Sequence, residues 1–436
     1  MNNQKMNNMK RLIKRMMTSF VVFLLPLMPL AAQSNGGNIK CTLKGEVKDR
    51  PQSNQLMLLK DGEDSRSTEW ISIPIVDGKF EYVLNCNYEE LYQLIFYDEN
   101  ARGAWRPITF ISEQGIINFT LHPQDQFDKN TVEGGKLNKE RQNFEIEERK
   151  RFETFAITLN AKLTQLRENG KYFTPEAQSL LDKMSASTDD TERRALSDQL
   201  QKLRREGLDV TSAVKEVNAS GDSLVWRVFN ERLKYSREHP NIVGYCILVS
   251  TVKDIVRQFE MDIVPFWDVY NTVYAPKYPN HPYTAQMPNL VTGSSLRAGS
   301  AFIDFTAVDM TGNPVRLSER IAGKLTVLHL WASWCGPCRK KGIELIPVYE
   351  EYRNKGLVVI GVARERGSTA AADAAVKLDN FPWENLVELN DAEQIWVKYG
   401  IGNAGGGEFL IDEKGNVIAV NPSIEEIRNF LVKELK

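Results

Sequence analysis

The 436-residue sequence is poor in several features that define common protein classes. It contains five cysteines and four histidines, and its 55 basic and 57 acidic residues leave a net charge of −2. This balance gives no basis for a nucleic-acid partner. No internal repeat is present, and no segment after the N-terminus is apolar over enough residues to span a bilayer. The length is sufficient for two or three domains with a sizeable core.

The few cysteines and histidines also argue against a structural zinc site. Such a site needs four ligands, but Cys335 to Cys338 is the single Cys-x-x-Cys, and the histidines show no paired ligand spacing. We therefore expect no metal and no bound cofactor in this chain.

The N-terminus has the pattern of a signal peptide, predicted over residues 1–32. Five basic residues precede an apolar stretch over residues 16–30, which two prolines interrupt, and a Leu-Ala-Ala sequence ends at Ala32. The stretch is short for a membrane span, although an uncleaved anchor is the alternative. The prediction places the protein in the periplasm or cell envelope, which is an oxidising compartment.

Periodicity divides the remaining chain into four parts. Residues 38–135 alternate apolar and polar positions, which predicts a small antiparallel β domain. Residues 136–275 have apolar residues at helical spacing, and residues 276–298 are rich in proline and are expected to form an extended linker. Residues 299–436 alternate strand and helix patterns, which is typical of an α/β domain with a central mixed sheet.

The Cys-x-x-Cys pair lies where the pattern changes from strand to helix. An apolar run over residues 325–331 precedes Cys335-Gly336-Pro337-Cys338, and a helical pattern follows. Unpaired backbone N–H groups and the helix dipole favour a thiolate at the first cysteine, and the second lies one turn into the helix. This arrangement predicts reversible dithiol–disulfide exchange.

The sequence from Trp334 to Cys338 resembles the active-site signature of thioredoxin-fold proteins. Residues 302–305, 312–317, 323–331, 358–362 and 409–412 extend the resemblance to the extracytoplasmic branch called TlpA- or ResA-like, over about residues 299–436. The preceding β region resembles, more loosely, the small β domain found before such modules in Bacteroidetes-type proteins.

The resemblance implies a thioredoxin-like thiol–disulfide oxidoreductase with protein dithiols or disulfides as partners. Cys335 would be the nucleophile, nearer to solvent, and Cys338 the more buried resolving thiol. The Gly336-Pro337 dipeptide suggests a reducing character, and a membrane-bound donor would supply the electrons. The redox-active disulfide itself would replace any cofactor.

Two supporting residues follow from the same resemblance. Trp334 is expected at the apolar rim that meets a partner, although packing alone is the alternative. His329 occupies the position where thioredoxin holds a buried carboxylate, so it is a candidate acceptor for the Cys338 proton. A core histidine with satisfied hydrogen bonds is the competing interpretation.

The sequence departs from the family pattern in two places. Reductases of this type often carry Glu where this chain has Lys341, and thioredoxin-fold enzymes place a cis-proline where this chain has a glycine-rich loop. Gly405, Gly406 and Gly407 are therefore expected to line a roomier substrate groove. The alternative is a degenerate loop on a scaffold that binds partners without catalysis.

The other three cysteines lie outside the pair. Cys41 and Cys86 are on candidate strands of the β region, where a structural disulfide and two buried thiols remain equal alternatives. Cys246 lies in an apolar helical run and is expected in the core. The sequence makes no prediction of oligomeric state.

Overall fold

The structure is a computed structural model that describes residues 38–258, 261–402 and 405–435. The predicted signal peptide, residues 1–32, lies outside the described residues. The chain divides into two compact units: the described residues up to Asn138 belong with those from His239 onwards, and Lys139–Glu238 form the second unit.

The N-terminal region is an all-β domain of two four-stranded sheets. Alternation in the first strand buries Cys41, Leu43 and Val47 in a core shared by both sheets, as the period of two predicts. The sheet orders are β4-β1-β7-β8 and β3-β2-β5-β6. The elements are β1 (Ile39–Val47), β2 (Gln55–Lys60), β3 (Ile71–Pro74), β4 (Lys79–Cys86), β5 (Leu91–Phe96), α1 (Tyr97–Ala101), β6 (Ile108–Ile111), β7 (Gly115–Leu121) and β8 (Thr131–Glu133).

The expectation of a wholly antiparallel domain is wrong in one strand pair. β1 pairs in parallel with β7, with Cys41 opposite Gly115 and Val47 opposite Leu121. The chain between these strands includes β5 and β6 of the other sheet. A connection of that length can return in either direction, whereas a short hairpin turn permits only antiparallel pairing.

The second unit is helical. The helices Pro175–Ala186 and Asp190–Arg205, which are neighbours in the sequence, pack against each other. Leu180 of the first contacts the apolar face of the second, where Leu196 and Leu200 lie one helical turn apart. Arg232 forms a two-point ion pair with Glu148, at 2.8 Å for both contacts. The helices are α2 (Lys136–Glu168), α3 (Pro175–Ala186), α4 (Asp190–Arg205) and α5 (Ser212–Glu238).

The proline-rich segment contains a helix, so the prediction of an extended linker over residues 276–298 is wrong. Pro282 occupies the first turn, where its missing N–H is harmless, and the His281 ring caps that turn by accepting from the Tyr283 N–H at 3.2 Å. Tyr283, Met287 and Leu290 are buried at helical spacing. The helices after the second unit are α6 (Ile242–Gln258), α7 (Val264–Val269), α8 (Ala275–Lys277) and α9 (Pro282–Ser295), with a π-helical turn at Tyr270–Tyr274.

The C-terminal domain is the predicted thioredoxin-like α/β domain. Its seven-stranded mixed sheet has the order β10-β9-β13-β12-β11-β14-β15, with β11, β12 and β13 parallel. The elements are β9 (Thr306–Val308), β10 (Pro314–Arg316), α10 (Leu317–Ile321), β11 (Leu325–Trp331), α11 (Gly336–Tyr352), β12 (Leu357–Glu365), α12 (Ala370–Asp379), β13 (Glu384–Leu389), α13 (Ile395–Lys398), β14 (Gly407–Ile411), β15 (Val417–Val420) and α14 (Ile424–Glu434).

Strand β11 carries the chain into the cysteine pair. All seven of its residues are buried, because it lies inside the sheet between β12 and β14. A continuous apolar run is what such a strand requires. The register places His329 opposite Glu408 on β14, and the strand ends at Trp331, four residues before Cys335.

Candidate active site

The two cysteines of the motif form a disulfide at the start of α11. Cys335 is the N-cap residue and Cys338 lies in the first turn, with their Cα atoms 5.3 Å apart. Gly336 and Pro337 between them are exposed, and the Cys338 N–H points to Cys335 Sγ at 3.4 Å. Proline is well suited to the first helical turn, where the free N–H groups favour a thiolate once the disulfide is reduced.

The expected difference in exposure between the cysteines is not found. Cys335 is 4% exposed and Cys338 is 6% exposed, so in this disulfide form neither sulfur is markedly nearer to solvent. Trp334, which precedes Cys335, is itself half-buried against Trp396, with ring centroids 5.9 Å apart. The exposed surface at the disulfide is therefore the Gly336-Pro337 turn.

The glycine-rich loop lies directly against the disulfide. The Gly406 N–H donates to Cys338 Sγ at 3.0 Å, and a Cβ at Gly406 would lie 1.8 Å from the Leu330 carbonyl oxygen. Gly405 has open space at the Cβ position, and Gly407 is buried at the start of β14. The structure thus brings the predicted loop to the cysteines, with Gly406 as the contact. No cis peptide bond occurs among the described residues.

A buried ionic group underlies the first turns of α11. His329 is fully buried, and its Nδ1–H donates to Glu408 Oε1 at 3.1 Å, while Lys341 forms an ion pair with Glu408 Oε2. Burial raises the pKa of Glu408, but the His329 hydrogen bond and the Lys341 charge outweigh it and lower the pKa below its usual range. The site therefore contains a carboxylate that stays ionised.

The free nitrogen of His329 faces the cysteine helix. Nε2 has no hydrogen-bond partner within the described part of the chain, and a Cβ at Gly342 would lie 3.2 Å from it. Gly342 follows Cys338 by one helical turn. Among the described residues, the ring is therefore held by a hydrogen bond through Nδ1 alone.

Glu408 was missed by the sequence analysis, as was Glu365. Glu365 accepts the Ser333 N–H at 2.6 Å and the Ser333 hydroxyl at 2.8 Å, and it thereby fixes the turn before Cys335. Burial raises the pKa of Glu365. Both are charged residues in otherwise largely apolar strands, and this pattern could have indicated that they are buried with specific partners.

Trp331, the last residue of β11, is fully buried. Its indole N–H donates to Asn385 Oδ1 at 3.2 Å, so the large side chain is anchored by a hydrogen bond as well as by packing. Trp334 remains at the edge of the site. The structure adds a contact that the sequence did not predict: Arg66 of the β domain lies over the Trp334 ring at 3.9 Å.

The other cysteines are remote from this chemistry. Cys41 and Cys86 are free thiols, which removes the structural disulfide left open between them. Burial raises the pKa of Cys41 to about 11 and also raises that of Cys86. Cys246 is 2% exposed in the helical core, as expected.

A third buried carboxyl, that of Glu388, lies on the aromatic side of the site. Glu388 Oε1 accepts the Ile395 N–H at 2.9 Å at the start of α13, the helix that holds Trp396, and its Oε2 has no partner within the described residues. Burial raises the pKa of Glu388 from 4.5 to about 7. Between pH 4.5 and pH 7 the folded state binds more protons than the unfolded chain, so the free energy of unfolding falls as the pH rises. The contribution of Glu388 is fully lost above pH 7.

We therefore expect the Glu388→Gln variant to be more stable than the wild-type protein at pH 8. Glutamine keeps the acceptor for the Ile395 N–H without a buried charge, so the gain in unfolding free energy is on the order of 2–3 kcal/mol. The gain should disappear near pH 4, because the wild-type carboxyl is then largely protonated in both the folded and the unfolded protein. Urea unfolding at the two pH values measures it, and an equal gain at both would contradict this explanation.

No group of three or more potential metal ligands occurs in residues 38–258, 261–402 or 405–435. Within those same ranges, no helix combines the length and apolar character needed to cross a membrane.

Residues 298–420 match the AhpC/TSA family, and residues 41–140 match a family described as a domain of unknown function, DUF4369. The first match covers the mixed sheet, the cysteine pair and the glycine-rich loop. The chain therefore contains a thioredoxin-like domain of the thiol–disulfide oxidoreductase type, as the sequence predicted.

Two relatives of similar sequence carry the name of this enzyme class. The chain is 27% identical over 125 residues to the thiol-disulfide oxidoreductase ResA of Bacillus thuringiensis (28% of this chain, 68% of the relative), and 25% identical over 155 residues to ResA of Bacillus subtilis (35% and 74%). A solved thioredoxin domain of a thiol-disulfide oxidoreductase from Bacteroides vulgatus is 25% identical, with a TM-score of 0.30, and the match covers 32% of this chain and 99% of that domain.

Proposed function

We propose that this protein is an exported thiol–disulfide oxidoreductase that reduces disulfides in protein substrates through Cys335 and Cys338. The observation that carries the proposal is the disulfide at the start of α11, with its exposed Gly336-Pro337 turn and the Gly406 N–H on Cys338 Sγ. These groups supply a nucleophile, a resolving thiol and a donor to the second sulfur.

The reaction starts from the dithiol form. The Cys335 thiolate attacks one sulfur of the substrate disulfide, a Cys335–substrate disulfide forms, and the other substrate sulfur leaves as a thiolate and takes up a proton. Cys338 then loses its proton and attacks Cys335 Sγ, which releases the second substrate thiol. The product is the Cys335–Cys338 disulfide seen in the structure. Two electrons have passed to the substrate.

The reducing direction rests on the Gly336-Pro337 dipeptide, which thioredoxin shares. Thioredoxin has a potential of about −270 mV, whereas oxidants of the same fold with other dipeptides reach about −120 mV. Export rests on the N-terminal pattern of residues 1–32. Outside the cytoplasm no soluble thiol pool regenerates the dithiol, so the proposal includes a membrane-bound electron donor.

His329 is proposed to accept the Cys338 proton during resolution. Its Nε2 lies beside Gly342 of α11, and the hydrogen bond from Nδ1 to Glu408 fixes the ring in that orientation. Lys341 forms an ion pair with Glu408 Oε2, so in this proposal the His329 imidazole, and not Lys341, accepts the Cys338 proton.

The His329→Asn variant should therefore resolve its mixed disulfide more slowly near neutral pH, by roughly 10- to 100-fold if general-base catalysis is lost. Stopped-flow measurement of product release between pH 5 and 9 follows the loss. A pH–rate profile identical to that of the wild-type protein would remove His329 from the mechanism.

Reduction of insulin with dithiothreitol as the electron source tests the proposed function. We expect the wild-type protein to accelerate insulin reduction and Cys335→Ser to fall to the rate of dithiothreitol alone, because the nucleophile is lost. Cys86→Ser removes a free thiol elsewhere in the chain and should keep wild-type activity. If wild type and Cys335→Ser give equal rates, the protein is a non-catalytic binding scaffold.

A further inference from the structure

A loop of the β domain forms part of the rim of the disulfide site. Residues 61–70 connect β2 to β3, and the guanidinium carbon of Arg66 lies 3.9 Å from the centroid of the Trp334 ring. Trp334 is the neighbour of Cys335, so a partner that approaches the nucleophile across this tryptophan also meets Arg66. The stacked arrangement is favourable for a guanidinium on an indole face.

Buried ion pairs hold this loop in place. Asp64 accepts from Arg66 Nε at 2.9 Å and Nη2 at 2.7 Å, and it also pairs with Arg364 Nη1 at 3.7 Å. Asp64 and Arg364 are 6% and 3% exposed. Ser67 adds a hydrogen bond to Asp391 at 3.1 Å, and Arg364 binds Asp391 through two contacts. Charges buried at this depth persist only with well-formed partners, so Arg66 has a defined position.

Two guanidinium groups are accessible at this rim. The Arg66 side chain is 39% exposed, and Arg366 is exposed while it donates to the Ser65 carbonyl at 3.3 Å. Asp64 is buried under Arg66, and Glu365 is 3% exposed beneath Ser333, whereas Glu69 of the same loop is exposed. A peptide that crosses the Trp334 ring meets the Arg66 guanidinium, which lies directly over that ring.

We propose that Arg66 is a specificity-determining residue that selects protein disulfides flanked by acidic side chains. The inference rests on the proposed function and adds a substrate class to it: the β domain supplies the contact that chooses the partner, and the cysteine pair supplies the chemistry. Complementary charge at the edge of an interface raises the association rate and excludes like-charged partners. The same contact accounts for a β domain preceding this catalytic module.

Two synthetic peptides test the proposal, each with one intrachain disulfide, flanked by glutamates in one peptide and by lysines in the other. We expect wild-type kcat/KM to favour the glutamate peptide, and Arg66→Gln to lower that preference about fivefold, through KM rather than kcat. Arg66→Lys keeps the charge and should restore the preference. The wild-type protein and both Arg66 variants should have the same second-order rate constant for reduction of the Cys335–Cys338 disulfide by dithiothreitol, because dithiothreitol carries no charged flanking residues.

Arg106→Gln is the matched control. Arg106 also lies 3.9 Å from an aromatic ring, that of Phe127, but within the β domain itself, so this variant should keep the wild-type preference. The preference should also weaken at high salt. Equal turnover of the two peptides by the wild-type protein, or an equal loss for both in Arg66→Gln, would overturn the inference alone. Failure to reduce either peptide would overturn the proposed function and the inference with it.

Discussion

Replacement of Cys338 by serine is expected to turn the protein into a covalent trap for disulfide substrates. Cys335 can still form the mixed disulfide at the N-terminus of α11, but no second sulfur is available to release it. After reduction and incubation with excess insulin, most of the variant should carry an insulin chain by intact-mass analysis. Dithiothreitol should remove that mass, whereas the wild-type protein should retain no adduct.

The three remaining thiols provide the control for this experiment. Burial raises the pKa of Cys41 to about 11 and raises that of Cys86, so both have little thiolate near neutral pH, and Cys246 is buried and inaccessible to insulin. The double variant Cys335→Ser, Cys338→Ser retains all three and should form no adduct. Adducts in the double variant at the yield of Cys338→Ser would show that the trapped sulfur is not Cys335.

The parts of the fold with strong local patterns were predictable from the sequence. The strand prediction over residues 325–331 coincides with β11, and the helix predicted from residue 336 begins at Gly336. A buried strand needs an apolar run, and the Gly-Pro pair marks the helix start, so both signals are local.

Elements whose form depends on distant partners were not predictable. The parallel pairing of β1 with β7 depends on how the chain passes through the other sheet. The prolines of residues 276–298 suggested an extended segment, whereas burial of one apolar face stabilises α9. In both cases tertiary packing decides the outcome, which a local pattern does not contain.

The candidate site divides in the same way. Cys335, Cys338 and Trp334 were predicted as one contiguous motif, and its strand-to-helix setting was correct. Glu408 and Arg66 reach the site from another strand and another domain, 70 or more residues away in the sequence, so no motif connects them to the cysteines. A charged residue inside an apolar strand is a local hint of a buried partner, but it does not identify that partner.

The Gly406→Ala variant is expected to lose most of the resolving step. Its Cβ would lie 1.8 Å from the Leu330 carbonyl oxygen and 3.2 Å from Cys338 Sγ. The first contact is with backbone, so the loop must move, and the Gly406 N–H then leaves Cys338 Sγ. A hydrogen bond to a charged group contributes about 1.5–3 kcal/mol, so its loss lowers the thiolate fraction of Cys338 roughly 10- to 100-fold, and attack on Cys335 Sγ, which needs the thiolate, slows with it. Single-turnover release of a labelled peptide measures this rate.

Gly405→Ala is the control for this change, because it adds the same methyl group one residue earlier, where no described residue other than its chain neighbours has an atom within 4 Å. It should keep the wild-type release rate, and the two variants together separate loss of the Sγ contact from stiffening of the loop. Gly406→Ala should also raise the pKa of the Cys338 thiol, since the thiolate loses a donor; a merely destabilised fold leaves that pKa unchanged below the unfolding temperature. If Gly406→Ala resolves its mixed disulfide at the wild-type rate, the glycine-rich loop has no part in the chemistry, and the missing proline has no functional replacement at this position.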